Sequence, residues 1–307
     1  MIRLMSNPDY HSPVLLQACI DYLNIQPNGV YVDLTFGGGG HSSHILKSLG
    51  EKGKLFAFDQ DEDAQKNALK DSRFTLIPHN FRYLKNYLRV YGVTKVNGIL
   101  GDLGVSSHQF DDAERGFSLR FEAELDMRMN QKSELSAKTV LNTYSVEQLS
   151  KIFRDYADLN QAYKLAKLIV NARAEKEILN TSDLKLAIAP CIPRFEENKY
   201  LARVFQALRM EVNQEVEALK ECLTQCVEVL DTKGRLVIIS YHSIEDRMSK
   251  NVMRSGNVDG VEEKDLIYGS GTKVFKVLTS KPIVPDDEEI KINTRARSAK
   301  LRAAEKI

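Results

Sequence analysis

The run Val30-Tyr31-Val32-Asp33 is short and apolar, and it ends in an acid. Leu34-Thr35-Phe36 then lead into four consecutive glycines, Gly37 to Gly40, and a segment able to open a helix. Glycine takes positive φ at no steric cost and lets a main chain approach a ligand without a Cβ in the way. The N–H groups at the start of the next helix have no partner within it and face whatever lies in front. Strand, glycine loop and helix in this order form the unit with which α/β domains hold nucleotides. A second apolar run, Lys54 to Phe58, also ends in an acid, Asp59. Its distance from Gly40 is close to the ~20-residue offset at which a carboxylate takes ribose hydroxyls. A carboxylate suits that task because it only accepts hydrogen bonds.

The loop narrows the choice of ligand. A dinucleotide fingerprint needs Gly-x-Gly-x-x-Gly/Ala. Counted from Gly37 or Gly38, the third position is Ser42 or Ser43. No Gly-x-x-x-x-Gly-Lys-Ser/Thr string of a P-loop follows either. A ligand without phosphates remains, and S-adenosyl-L-methionine, with its ribose hydroxyls and amino-acid tail, fits.

Strand-like runs recur in α/β rhythm: Val30–Asp33, Leu55–Asp59, Phe74–Ile77, Val96–Asp102, Arg235–Ser240 and a late antiparallel one at Val274–Leu278. Helical stretches at Asp61–Leu69 and Phe81–Tyr91 separate the early strands. The pattern predicts a Rossmann-like, mostly parallel sheet with helices on both faces, whose ligand lies at the carboxyl ends of the strands. The rhythm breaks over residues 103–234, too long for one crossover. That interval is helical in pattern: Ser145-Val146-Glu147-Gln148 is a capping box, and an apolar stripe predicts one long helix from about Tyr200 to Leu230. The expected organisation is a methyltransferase-type α/β domain over residues 1–112 and 205–307, with a helical domain inserted at 113–204 and capping the cleft.

At 307 residues the chain has length for one or two domains, and its net charge of +1 does not by itself announce a nucleic-acid binder. Basic residues gather over 291–307, which reads as a solvated tail. Cys19, Cys191, Cys222 and Cys226 form no Cys-x-x-Cys pair, so no metal site is expected and a reducing cytoplasm is the natural compartment. No membrane-spanning apolar run is present.

Chemistry is expected after the fourth strand, at Asp102-Leu103-Gly104-Val105-Ser106-Ser107-His108-Gln109. Asp102 can accept from a substrate amine or orient the cofactor, and Gln109 offers both a donor and an acceptor. Tyr241-His242-Ser243-Ile244-Glu245-Asp246-Arg247 follows the fifth strand at the same edge. His242 is a candidate for a base or a phosphate contact.

These strings, together with Tyr10-His11-Ser12-Pro13-Val14-Leu15-Leu16, Arg115-Gly116-Phe117-Ser118, Leu125–Met129, Val204–Arg209 and Asn293–Arg302, closely resemble the RsmH/MraW family of bacterial rRNA small-subunit methyltransferases. The resemblance runs almost end to end. It implies S-adenosyl-L-methionine-dependent methylation of the exocyclic N4 of a cytidine in 16S rRNA, within the small ribosomal subunit, at the decoding centre. It places cofactor contacts at Gly39, Gly40, His41, Asp59, Phe81, Asp102 and Gln109, and it leaves a homodimer open. The RNA substrate it implies makes Arg115, Arg128, Arg247, Arg295 and Arg297 candidates for phosphate contacts. Tyr241 and Ile244 depart from the family's frequent Phe and Leu, and Gly101 from a bulkier residue. Two other readings of the residues stand beside this one: a nicotinamide-dependent oxidoreductase, against which the missing third glycine speaks, and a non-enzymatic RNA-binding or assembly factor.

Overall fold

The computed structural model describes residues 13–104, 111–112, 115–119, 121–261 and 273–307. The chain divides into two compact units, Met1–Gly104 with Val216–Ile307, and Val105–Glu215.

The first unit is built on a seven-stranded sheet of order β3-β2-β1-β4-β5-β7-β6. Its strands are β1 Val30–Asp33, β2 Lys54–Phe58, β3 Phe74–Ile77, β4 Val96–Asp102, β5 Leu230–Ser240, β6 Phe275–Val277 and β7 Lys300–Lys306. The pairs from β3 through to β5 are parallel, while β7 runs antiparallel to both β5 and β6. The sheet is therefore Rossmann-like, as the strand rhythm predicts. Successive strand residues point to opposite faces, and both faces are apolar. Val32, Phe56, Ile99, Leu236 and Ile238 pack on one side with Leu84, Leu88, Leu219, Leu223 and Val252. Tyr31, Leu55, Leu100, Val237 and Ile239 pack on the other with Cys19, Leu23, Ile45 and Leu46. All four cysteines are buried free thiols.

The second unit is helical. Helices Ala137–Thr143, Val146–Asp155, Ala162–Glu175, Thr181–Ile188 and Glu197–Val212 enclose Phe153, Leu165, Ile169, Leu184, Leu201, Val204 and Leu208. Ser145 and Gln148 form the capping box read from the sequence. No helix among the described residues is long and apolar enough to cross a membrane.

Two expectations are corrected. The single helix from Tyr200 to Leu230 is two, Glu197–Val212 and Glu215–Val229. Gln214 between them is left-handed, with φ 49°. Asn213 caps the first helix: its amide donates to Arg209 O at 2.9 Å and Met127 O at 2.8 Å and accepts from Met129 N at 2.7 Å. The apolar stripe runs straight through this polar pair, so periodicity alone does not show the break. The two compact units divide at 104/105 and 215/216, and Leu201, Val204, Leu208 and Val212 share the core of the second. Finally, the basic C-terminal run is no solvated tail. Residues 300–306 form an inner strand whose Leu301, Ala303 and Ala304 are fully buried.

Candidate active site

Strand order reverses between β1 and β4, because β1 leads to β2 on one side while β4 lies on the other. At such a switch point an open α/β sheet receives its ligand, beyond the carboxyl ends of the strands. Asp33 ends β1 and Asp102 ends β4. Asp33 is fully buried and accepts from Thr35 N at 3.0 Å and Ser42 Oγ at 2.6 Å. Thr35 Oγ1 in turn accepts the Asp102 N–H at 2.7 Å. The loop after β1 is thus tied to its own helix and to the end of β4. Ser42, which breaks the dinucleotide fingerprint, is the residue that makes the first of these ties.

Within the loop, Gly39 has φ 76° and caps the helix Gly40–Ser48. A Cβ on Gly40 would stand 2.4 Å from Pro13 Cγ, so no side chain fits there. Gly37 N donates to Asp59 Oδ2 at 2.8 Å, and Asp61 N donates to Oδ1 at 2.9 Å. Asp59 therefore anchors the glycine loop to the end of β2. Each of its oxygens keeps a second lone pair for a ligand hydroxyl. Burial pushes the Asp59 carboxyl up to about 6, against the pull of these two N–H groups.

Asp102 is the centre of the second cluster. Its Oδ1 accepts from the Tyr241 hydroxyl at 2.8 Å, and its Oδ2 lies 3.9 Å from His41 Nδ1. Burial pushes this carboxyl up to about 6, with His41 and Tyr241 acting in the opposite direction. His41 Nε2 lies 3.0 Å from Val14 O. A carbonyl only accepts, so Nε2 carries the hydrogen, and in the neutral ring Nδ1 turns a lone pair toward Asp102. An N–H donor placed between Nδ1 and Oδ2 would satisfy both.

Of the cofactor residues expected from the sequence, Gly39, Gly40, His41, Asp59 and Asp102 thus lie at the ligand ends of β1, β2 and β4. Phe81 opens a 3-10 turn after β3, capped by Asn80, and packs on the apolar cluster of that face. Gln109 lies outside the described residues.

The family model described as the MraW methylase family matches residues 9–307. A protein of Flavobacterium johnsoniae named ribosomal RNA small subunit methyltransferase H is 56% identical over 97% of this chain and 98% of its own length. One of the same name from Phocaeicola vulgatus is 55% identical over 97% of each. The chain belongs to the MraW methylase family. Its methyl donor is S-adenosyl-L-methionine.

The structure also sorts the basic residues expected to meet RNA phosphates. Arg115 is 6% exposed; its guanidinium donates to Arg128 O at 2.8 Å and Met129 O at 3.2 Å. These bonds tie Arg115 to the backbone of its own unit. Arg128 is held bidentately by Asp126, at 2.9 and 2.6 Å, and also donates to Ser133 O. Its charge is already balanced, so it too serves the helical unit. His242 caps the helix Ser243–Ser255. Its Nε2 lies 2.9 Å from Glu245 Oε1, an ion-pair distance when the ring is protonated but not aligned as a hydrogen bond. Arg247 and Arg297 are exposed, and Arg295 is half-buried in the turn Thr294–Ser298.

Sequence reasoning gave no role to Thr35, and none to the hydroxyls of Tyr241 and Ser42. The signal for Tyr241 is register: Asp102 pairs with Ile239, so the residue just past β5 comes beside the acid that ends β4.

Proposed function

We propose that this methylase transfers a methyl group from S-adenosyl-L-methionine to the exocyclic N4 of a cytidine in 16S rRNA, at the decoding centre of the small ribosomal subunit. The names carried by relatives that align over nearly its whole length support small-subunit rRNA as the substrate. The observation that carries the assignment of roles is Asp102: a half-buried carboxylate at the end of β4, with one oxygen committed to Tyr241 and the other 3.9 Å from His41 Nδ1.

The residues present fit the cofactor. Gly39 and Gly40 bring bare backbone to the start of the helix, and Asp59 bonds the glycine loop while keeping lone pairs for a ribose. Gly39, Gly40 and His41 would hold the amino-acid end, Asp59 would take the ribose hydroxyls, and Phe81 would meet the adenine. When bound, the cofactor supplies an electrophilic sulfonium methyl.

The chain's own work is positioning. The N4 lone pair of cytosine is delocalised into its ring, so the amine is a weak nucleophile. Asp102 accepts an N4–H hydrogen bond and draws the nitrogen toward tetrahedral geometry. Holding the reactants together supplies much of the remaining acceleration. No covalent enzyme intermediate is needed. The target base leaves its stack to enter the site, and Arg247, Arg295 and Arg297 meet the RNA backbone. The enzyme works in the cytoplasm, where its substrate is assembled.

Methyl transfer to small-subunit particles, followed by mass spectrometry of the nucleosides, tests this. N4-methylcytidine in 16S rRNA is the expected product. Binding to the particles without any methyl transfer would favour a non-enzymatic assembly factor.

A further inference from the structure

Asp102 is placed to accept from an N–H donor, but a carboxylate near neutrality in a buried site needs something to keep it rotated and ionised. We propose that Tyr241 is the positioning residue for Asp102: its hydroxyl donates to Oδ1, fixes the carboxylate's rotation and holds it in the accepting form. This rests on the reading of Asp102 as an acceptor.

The hydroxyl is fixed from several sides. Tyr241 directly follows β5, and its backbone N donates to Glu245 Oε2 at 2.9 Å. Its ring packs on the cluster that contains Ile239, Leu301 and Ala299. A Cβ on Gly104, where φ is 109°, would lie 3.4 Å from the ring's Cδ2, so the chain after β4 closes in on it as well. Burial and the nearby Asp102 charge push the phenol's pKa far up. The hydroxyl therefore stays protonated and can always donate.

Its effect on Asp102 follows from the other groups that face this carboxyl. Asp33 at the end of β1 and Glu245 on the helix after β5 both disfavour its charge. Cys19, on helix Leu16–Leu23, has its thiol pushed up by burial and then by Asp102, so it stays neutral. His41 favours the charge, but in the neutral ring it turns a lone pair, not a hydrogen, toward Oδ2. Tyr241 is thus the hydrogen donor that the described residues supply to the carboxylate at hydrogen-bond distance. A proton on Oδ2 would point at His41 Nδ1 and abolish acceptance from a ligand. Donation to Oδ1 opposes that state, because a hydrogen bond to the ionised form lowers a carboxyl's pKa.

The test is Tyr241→Phe, which keeps the ring. Binding of S-adenosyl-L-methionine is measured by calorimetry, and single-turnover methyl transfer to small-subunit particles is followed, both across a pH series. In the variant the acid limb should move up by about one pH unit. Near pH 6 the rate should then fall by up to about tenfold, and it should recover at alkaline pH. A purely structural role would lower the rate equally at every pH, and that result, or an unmoved limb, would overturn the proposal. If the variant unfolds, 3-fluorotyrosine at 241 keeps the ring and strengthens the donor. It should move the limb downward, and no movement would again overturn the proposal. Asp102→Asn run in parallel separates the two readings. If it retains both affinity and rate, Asp102 is not the acceptor. If it loses them while Tyr241→Phe keeps its limb in place, only the role of Tyr241 is wrong.

Discussion

The Thr35 hydroxyl accepts the backbone N–H of Asp102 at 2.7 Å, so the loop after β1 and the end of β4 are fastened across the switch point of the sheet. Thr35→Val has nearly the same shape but leaves that N–H without its partner. A buried donor left unpaired costs about 1–3 kcal/mol. Thermal unfolding should show that loss, and cofactor affinity should fall with it because Asp102 moves. Thr35→Ser should keep both. A stable Thr35→Val variant with normal affinity would remove this tie from the account.

Glycine at position 40 is required by space. Gly40→Ala sets a methyl against Pro13, with Cβ 2.4 Å from Cγ before anything shifts. Overpacking of this kind costs about 1–3 kcal/mol. Because the strain falls on the loop that faces the ligand, calorimetric affinity should drop more than melting temperature. Equal losses in the two would mean that Gly40 serves only the packing.

The two raised carboxyls make a prediction for the ligand-free protein. Asp59 and Asp102 titrate at about 6 in the folded state because of burial, against ~4 in an unfolded chain. The folded state therefore binds these protons more tightly than the unfolded chain does. Their stabilising contribution is complete below ~4 and is lost as pH rises through the folded value. Asp59→Asn and Asp102→Asn cannot ionise, so each should flatten that decline by ~1–2 kcal/mol while weakening cofactor binding. Melting temperature measured against pH without ligand checks this. Wild-type slopes in both variants would contradict it.

Among the basic residues, the structure separates two behaviours. Arg247→Ala and Arg297→Ala remove exposed charges. Each should weaken RNA binding and lower the slope of log affinity against log salt by about 1. Arg115→Ala instead strips the carbonyls of Arg128 and Met129 of their donor. It should destabilise the helical unit by about 2 kcal/mol or more while leaving the salt slope unchanged. Filter binding over a salt series, with unfolding measured alongside, distinguishes the two.

Where local pattern and tertiary fate agree, the sequence was readable. β1, β2 and β4 lie inside the sheet and are mostly buried, so their apolar runs stand out, and the acid at or just after the end of each marks the ligand edge. The glycines, Asp59 and Asp102 follow from that edge. β7 was hidden because small residues bury its two faces, Ala304 on one and Ala303 on the other, between charged neighbours, and its Arg302 is neutralised by Asp246 at 2.6 Å. A charge run looks solvated until its partner is known. The break at Gln214 was hidden because Asn213 receives its caps from Met127 and Met129, residues far off in sequence. Tyr241 and Thr35 matter only through Asp102, and such cross-strand partners emerge once the register of β4 with β5 and β1 is fixed.

The most direct test compares wild type with Asp102→Asn in methyl transfer to small-subunit particles, with nucleoside mass spectrometry as the readout. The account predicts N4-methylcytidine in 16S rRNA from the wild type, and a rate about a hundredfold or more lower from the variant, the range of a lost transition-state contact. A methyl group on another nucleotide, or near-full transfer by Asp102→Asn, would contradict it.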